Sequence, residues 1–212
     1  RFNDPDRAEF YGRNKILLAV SAIISGGAGL IIAYNIGRFP FMALLIMSLL
    51  GLSYNLQVIP KWLAGIKYRK LRDIPGSKTL LIAMAWGMVT AVLPPLSKFG
   101  TINWVNILVA LWAVGMVFVR TAFFDILDMQ GDRIVGKETI AVLLGERQSL
   151  QLLRSLALVS LALLFLGCAL QLFANLGVLL TVSPLTMLLI LRAYNQGYLL
   201  PGVRLELLVD TH

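Results

Sequence analysis

Lysines and arginines fence this sequence into apolar stretches of one recurring length. Lys15 and Arg38 enclose 22 uncharged residues, Arg38 and Lys61 another 22, Lys78 and Lys98 19, and Lys98 and Arg120 21. A helix rising 1.5 Å per residue needs about 20 apolar residues to cross a hydrocarbon core. Each stretch therefore reads as one crossing. Between Arg154 and Arg192 stand 37 uncharged residues, which as one helix would reach roughly 55 Å, nearly twice the core thickness. That stretch has to fold back, and Phe173-Ala174-Asn175-Leu176-Gly177 offers the Asn and Gly turn chemistry to do so. Six spans follow, near 16–37, 40–59, 79–97, 102–124, 150–172 and 177–196. The fold class is all-α, a polytopic transmembrane helix bundle. Composition agrees: 58% hydrophobic against 14% charged residues excludes an ordinary water-soluble domain.

If the chain weaves back and forth, segments 1–15, 60–78, 125–149 and 197–212 share one side of the membrane. Of 19 Lys and Arg, only Arg38 and Lys98 fall on the other side, and all 11 Asp and Glu accompany the long loops. The positive-inside rule makes the long-loop face cytoplasmic. The same rule accounts for the net charge of +8 and pI near 9.9 without invoking nucleic acid. The single Cys168 has no partner in the chain, so disulfide and cysteine-metal chemistry are excluded. Small-residue runs at Ser25-Gly26-Gly27-Ala28-Gly29 and Gly51-Leu52-Ser53 are expected to let helices approach closely. Pro60, Pro94 and Pro95 are expected at helix ends, where a missing amide hydrogen bond matters least.

Chemistry concentrates in Phe123–Lys137. Asp125, Asp128 and Asp132 are spaced i, i+3, i+7, within about 60° of one helical face at the mouth of the fourth span. Like charges so close repel, and something cationic is needed beside them. Two readings are open. The acids can form a solvated helix end neutralised by Arg120, Arg133 and Lys137, or they can hold a hard cation shared with a phosphate group. The third acid in register, with Gly131 and Gly136 opening the backbone, favours the second. No His or Cys stands nearby for zinc.

These residues resemble the UbiA superfamily of intramembrane prenyltransferases. Its second aspartate-rich motif, D-x-x-x-D followed by a short basic, Gly-containing stretch, is similar to Asp128-Met129-Gln130-Gly131-Asp132 with Arg133, Gly136, Lys137 and Thr139. Asp125 is similar to an extra acid one turn earlier. Leu71–Gly87 resembles the loop and helix that end the family's first half. The first motif, N-D-x-x-D-x-x-x-D, is not matched: Asn3-Asp4-Pro5-Asp6 begins like it, but Arg7 follows and the later Asp is missing. The segment instead resembles the loop after that motif. The resemblance thus implies one transmembrane prenyltransferase domain over 1–212, six spans of a nine-helix bundle, truncated at both ends. An opening at Arg1 and an end at His212 fit that expectation.

The resemblance implies transfer of a polyprenyl group from a prenyl diphosphate to a small lipophilic acceptor, an aromatic quinone precursor for example, with Mg²⁺ as cofactor and membrane lipid around it. Asp128, Asp132 and Asp125 are the acids expected to carry catalysis, the first two as metal ligands. Arg69, Lys70, Lys137 and Arg133 are the cations expected near the diphosphate, and Tyr54 and Asn55 are expected to line the cavity. The location implied is a bacterial or archaeal cytoplasmic membrane with the aspartates on the cytoplasmic side. A non-enzymatic, ion-binding transporter-like bundle is the alternative, though no acid falls near the middle of a span, where transporter sites lie. A phosphatidyl-transferring enzyme would also use aspartates at a helix end, but its Asp-Gly-x-x-Ala-Arg pattern is missing.

Overall fold

The computed structural model describes residues 5–54, 71, 74–173 and 175–210, and every regular element among them is helical. Two compact units emerge, Arg1–Leu71 with Pro95–Thr101, and Arg72–Pro94 with Ile102–His212.

The first unit holds α1 (Pro5–Arg13), α2 (Lys15–Ile36) and α3 (Arg38–Ser53). α2 and α3 form a hairpin through Gly37, with Tyr34 and Phe41 edge to face at 5.5 Å across the turn. Pro40 sits in the first turn of α3, where no intrahelical donor is lost. α3 runs for 16 residues rather than the 40–59 expected, and residues 55–59 lie outside the described set. Among the described residues the small-residue runs make little close contact. A Cβ placed on Gly26, Gly27 or Gly51 meets open space, and one on Gly29 only touches Leu44 at 3.8 Å.

The second unit opens with α4 (Ser77–Gly87) and a π turn (Met88–Val92), after which α5 (Leu93–Phe99) continues the same apolar run, its residues from Pro95 on counted with the first unit. Pro94 and Pro95 therefore lie inside a helix, not at its end. Proline supplies no amide hydrogen, and the widened turn, with the Leu93 N–H on the Met88 carbonyl, shifts the bonding pattern just before them. Then come α6 (Trp104–Leu127), α7 (Met129–Val135), α8 (Ile140–Leu144), α9 (Glu146–Ala169), α10 (Asn175–Leu180), α11 (Val182–Asn195) and α12 (Val203–Asp210).

α6 is the hub, packed against α4, the π turn, α7, α8, α9 and α11. Its Val119 and Phe123 are fully buried among Leu153 of α9, Met187 and Leu191 of α11, and Leu205 and Val209 of α12. Close approach comes from isolated glycines. A Cβ on Gly87 would run into Val114, and one on Gly115 would press on Ser160 Oγ at 3.1 Å.

Five helices are long and apolar enough to cross a membrane, Lys15–Ile36, Ser77–Phe99, Trp104–Leu127, Glu146–Ala169 and Gly177–Asn195, with α3 a shorter apolar helix. The protein is an integral membrane protein, an all-α polytopic bundle. The fold-back after the fifth expected span begins earlier than the sequence implied. α9 stops at Ala169 and Gln171 turns with a positive φ of 54°, its N–H on Cys168 O and that of Leu172 on Gly167 O. Phe173 then fills the space that a Cβ would need, with its ring at Gly167 and with its own Cβ, beside Cys168 Sγ, at Gly177. Beyond α11 the polar end is not a loop: α12 is anchored by Leu205, Val209 and an Arg120–Asp210 ion pair.

Candidate functional site

The acidic stripe survives the end of α6 because the helical hydrogen bonds continue through it. The Asp128 N–H donates to Phe124 O at 2.9 Å and the Asp132 N–H to Asp128 O at 3.0 Å, although Asp128 itself sits at φ −84°, ψ −1° between α6 and α7. The three acids differ sharply in environment. Asp128 is exposed, Asp125 half-buried, and Asp132 only 5% exposed.

A buried carboxylate needs a partner, and the chain supplies one by turning back on itself. Gly136 adopts the left-handed conformation (φ 73°, ψ 27°). The Gly136 N–H donates to Arg133 O at 3.2 Å and the Lys137 N–H to Asp132 O at 2.9 Å, the paired bonds of a Schellman turn. Lys137 Nζ then donates to Asp132 Oδ1 at 2.9 Å. The hydrogen bond to Asp132 raises the Lys137 amine above its ordinary 10.5; partial burial opposes this, and the charges of Asp132, Asp128 and Asp125 add to it. All three acids and this lysine thus form one electrostatic cluster. Thr139 completes the motif by capping α8, its Oγ1 accepting from the Val142 N–H at 3.3 Å.

Two contributors were not legible beforehand. Thr79 of α4, 1% exposed, donates from Oγ1 to Asp125 Oδ2 at 2.6 Å, and the charge of neighbouring Lys78 acts on the same carboxylate. Gly76 (φ 74°) brings the start of α4 against Ile140 of α8 so closely that a Cβ would overlap that side chain. Both contacts join segments far apart in the chain, so no local spacing announces them. In the same turn of α4, Ser77 Oγ is enclosed with no partner among the described residues.

Of the three cations considered as neutralisers, only Lys137 does so. Arg120 pairs with Asp210, and Arg133 is exposed and makes no ion pair with a described residue. Tyr54 caps α3 in the other unit, half-buried, its N–H on Gly51 O. Asn55, Arg69 and Lys70 lie outside the described residues.

Mg²⁺ is commonly held by one or two carboxylates, with waters and substrate phosphates completing its octahedron. Exposed Asp128 and the Asp132 oxygen not taken by Lys137 are donors of that kind. Among the described residues no group of three His, Cys, Asp or Glu is poised to hold a metal. The donor set fits a metal shared with a phosphate ligand rather than one caged by protein.

The UbiA prenyltransferase family matches residues 15–198, a range containing five spans and the whole acidic cluster. The chain belongs to the UbiA family. No curated protein and no solved structure matches it. UbiA members are membrane prenyltransferases, so the general activity is transfer of a prenyl group at a membrane and the class is transferase. The matched UbiA region also takes in Thr79 and the Gly76 turn.

Proposed function

We propose that this chain forms a single prenyltransferase domain moving a polyprenyl group from a prenyl diphosphate to a small lipophilic acceptor, of aromatic quinone-precursor type, with Mg²⁺. The observation that carries the reading is the Asp125, Asp128, Asp132 and Lys137 cluster at the end of a membrane span in a UbiA member. In this reaction the bond between the allylic carbon and the diphosphate oxygen breaks, and its electron pair leaves with the diphosphate. The acceptor then bonds to that carbon and loses a proton. Asp128 and Asp132 would hold the metal, which would supply positive charge to the departing diphosphate. Lys137, with Lys78 near Asp125, adds fixed positive charge where negative charge develops. Arg133 is a further cation for the diphosphate, and the sequence offers Arg69 and Lys70, outside the described residues, for the same role and Tyr54 and Asn55 for lining a cavity. The apolar walls of the bundle keep water from the allylic cation.

The membrane is the cytoplasmic membrane of a bacterium or archaeon, with the cluster on the cytoplasmic face. A reporter fused after Glu138 should be cytoplasmic and one at Gly100 should lie on the opposite side; finding both on one side overturns that topology. The activity itself is tested with the protein expressed from its complete gene, a labelled prenyl diphosphate, a panel of aromatic acceptors and Mg²⁺. Labelled, EDTA-sensitive product is expected. Turnover that survives complete chelation counts against the metal.

A further inference from the structure

Hydroxyls in the apolar helices of this protein mostly serve their own backbone. Ser25 donates to Ser21 O, Thr90 to Trp86 O, Ser155 to Gln151 O and Thr186 to Val182 O, each within one turn. This is the local bond expected of Ser and Thr in a helix. Thr79 departs from the pattern. Its hydroxyl leaves α4 and donates to Asp125 Oδ2 on α6, 46 residues away, at 2.6 Å, from a position 1% exposed. The buried stripe on the same face of α4, Thr79, Ala83 and Gly87, sets the two helices close enough for this bond.

The bond has a geometric consequence. With Oδ2 held from α4, turning the Asp125 carboxylate toward Asp128 and Asp132 as a third ligand would break this bond, and the described residues hold no three-acid metal group. We infer that Thr79 is a positioning residue that fixes Asp125 as an outer acceptor, one that orients the water shell of a divalent cation held by Asp128 and Asp132 without ligating it. This rests on the metal reading proposed above and adds the residue that tunes it. Groups acting through a ligand's or a metal-bound water's hydrogen bonds typically change metal affinity 10–100-fold when altered.

The test is Mn²⁺ binding by the purified 212-residue chain in lipid nanodiscs, with and without inorganic diphosphate, followed by electron paramagnetic resonance. Thr79→Val keeps the shape and removes the donor, and should weaken Mn²⁺ at least tenfold. Thr79→Ser keeps the donor and should restore affinity to within about threefold of the unaltered chain. Asp125→Asn should match Thr79→Val, and the double variant should be no worse than either single one, because both act through one bond. Wild-type affinity in Thr79→Val, or equal damage in Val and Ser, overturns the role of Thr79 while leaving the metal reading intact if Asp128→Asn abolishes binding. Unchanged binding in Asp128→Asn overturns the metal reading and this inference together.

Discussion

In the first unit, α2 has a mean hydropathy of 2.4 and buries 6% of its most apolar window, whereas Gly177–Asn195 in the second has 1.6 and buries 33%. The more apolar helix is the less packed. Hydropathy measures how readily a side chain enters hydrocarbon, and in lipid that gives no reason for one helix to prefer another. Packing follows pattern instead. α4 buries Thr79, Ala83 and Gly87 at steps of four, and α6 buries Met116, Val119, Ala122, Phe123 and Ile126 at steps of three and four. α2 buries only Ala33. The unit built on a patterned stripe is the one that carries the acidic cluster.

The contrast can be broken most sharply at the acids. Asp128→Asn or Asp132→Asn should lower prenyl transfer to below about one per cent with membrane insertion unchanged. Glu9→Gln on α1 should leave it at the wild-type rate, and a loss there as large as at the aspartates would erase the functional difference between the units. Next in size is the core. Phe123→Ala, which empties a fully buried site, should cost about 3–5 kcal/mol in a detergent unfolding titration. Ile24→Ala on exposed α2 should stay within about 0.5 kcal/mol. Equal losses would show that α2 is packed after all.

Glycines give a finer version of the same comparison. Gly76→Ala combines a left-handed backbone with overlap onto Ile140 and should cost about 1–3 kcal/mol. Gly26→Ala meets open space in a helix and should be neutral or stabilising by up to about 1 kcal/mol. The smallest effect is expected from pH. Because the folded-state value of Lys137 is raised above 10.5, its contribution is complete below the unfolded value and is lost only as pH climbs through the raised one. Its side chain is 64% exposed, so the part of the contribution that titrates with the amine is at most a few tenths of a kcal/mol. The difference in stability between Lys137→Met and the parent should be constant from about pH 7 to about 9 and shrink only at higher pH, as the parent's amine loses its proton.

Much of the bundle was legible because a membrane imposes one length on every crossing. Five of the six expected spans lie within four residues of the helices found at each end. Hydropathy carries no hydrogen-bond register, so it gave no hint that Met88–Val92 would widen and carry Pro94 and Pro95 inside a helix. Nor did the density of small residues predict contact: the run at Ser25–Gly29 is almost free, while lone Gly87 and Gly115 mark the tight crossings. At the site, the stripe Asp125, Asp128 and Asp132 follows from helical periodicity, and Lys137 lies five residues from its partner. Thr79 and Gly76 were hidden because what makes them matter, Asp125 and Ile140, belongs to other helices.

The turn at Gly136 also sets how much length variation this part of the chain can absorb. Its two backbone bonds close loops of fixed size, Gly136 onto Arg133 and Lys137 onto Asp132, and the ammonium group reaches its carboxylate only when both are closed. One residue added or removed between Arg133 and Gly136 would open both loops at once and leave Asp132 buried without its counter-charge. The link around Gly100 is also closed by a backbone bond, its N–H on Leu96 O at 3.1 Å with φ 69°, but no carboxylate stands in it to lose a counter-charge. Insertions of equal length at these two places should therefore be tolerated very differently.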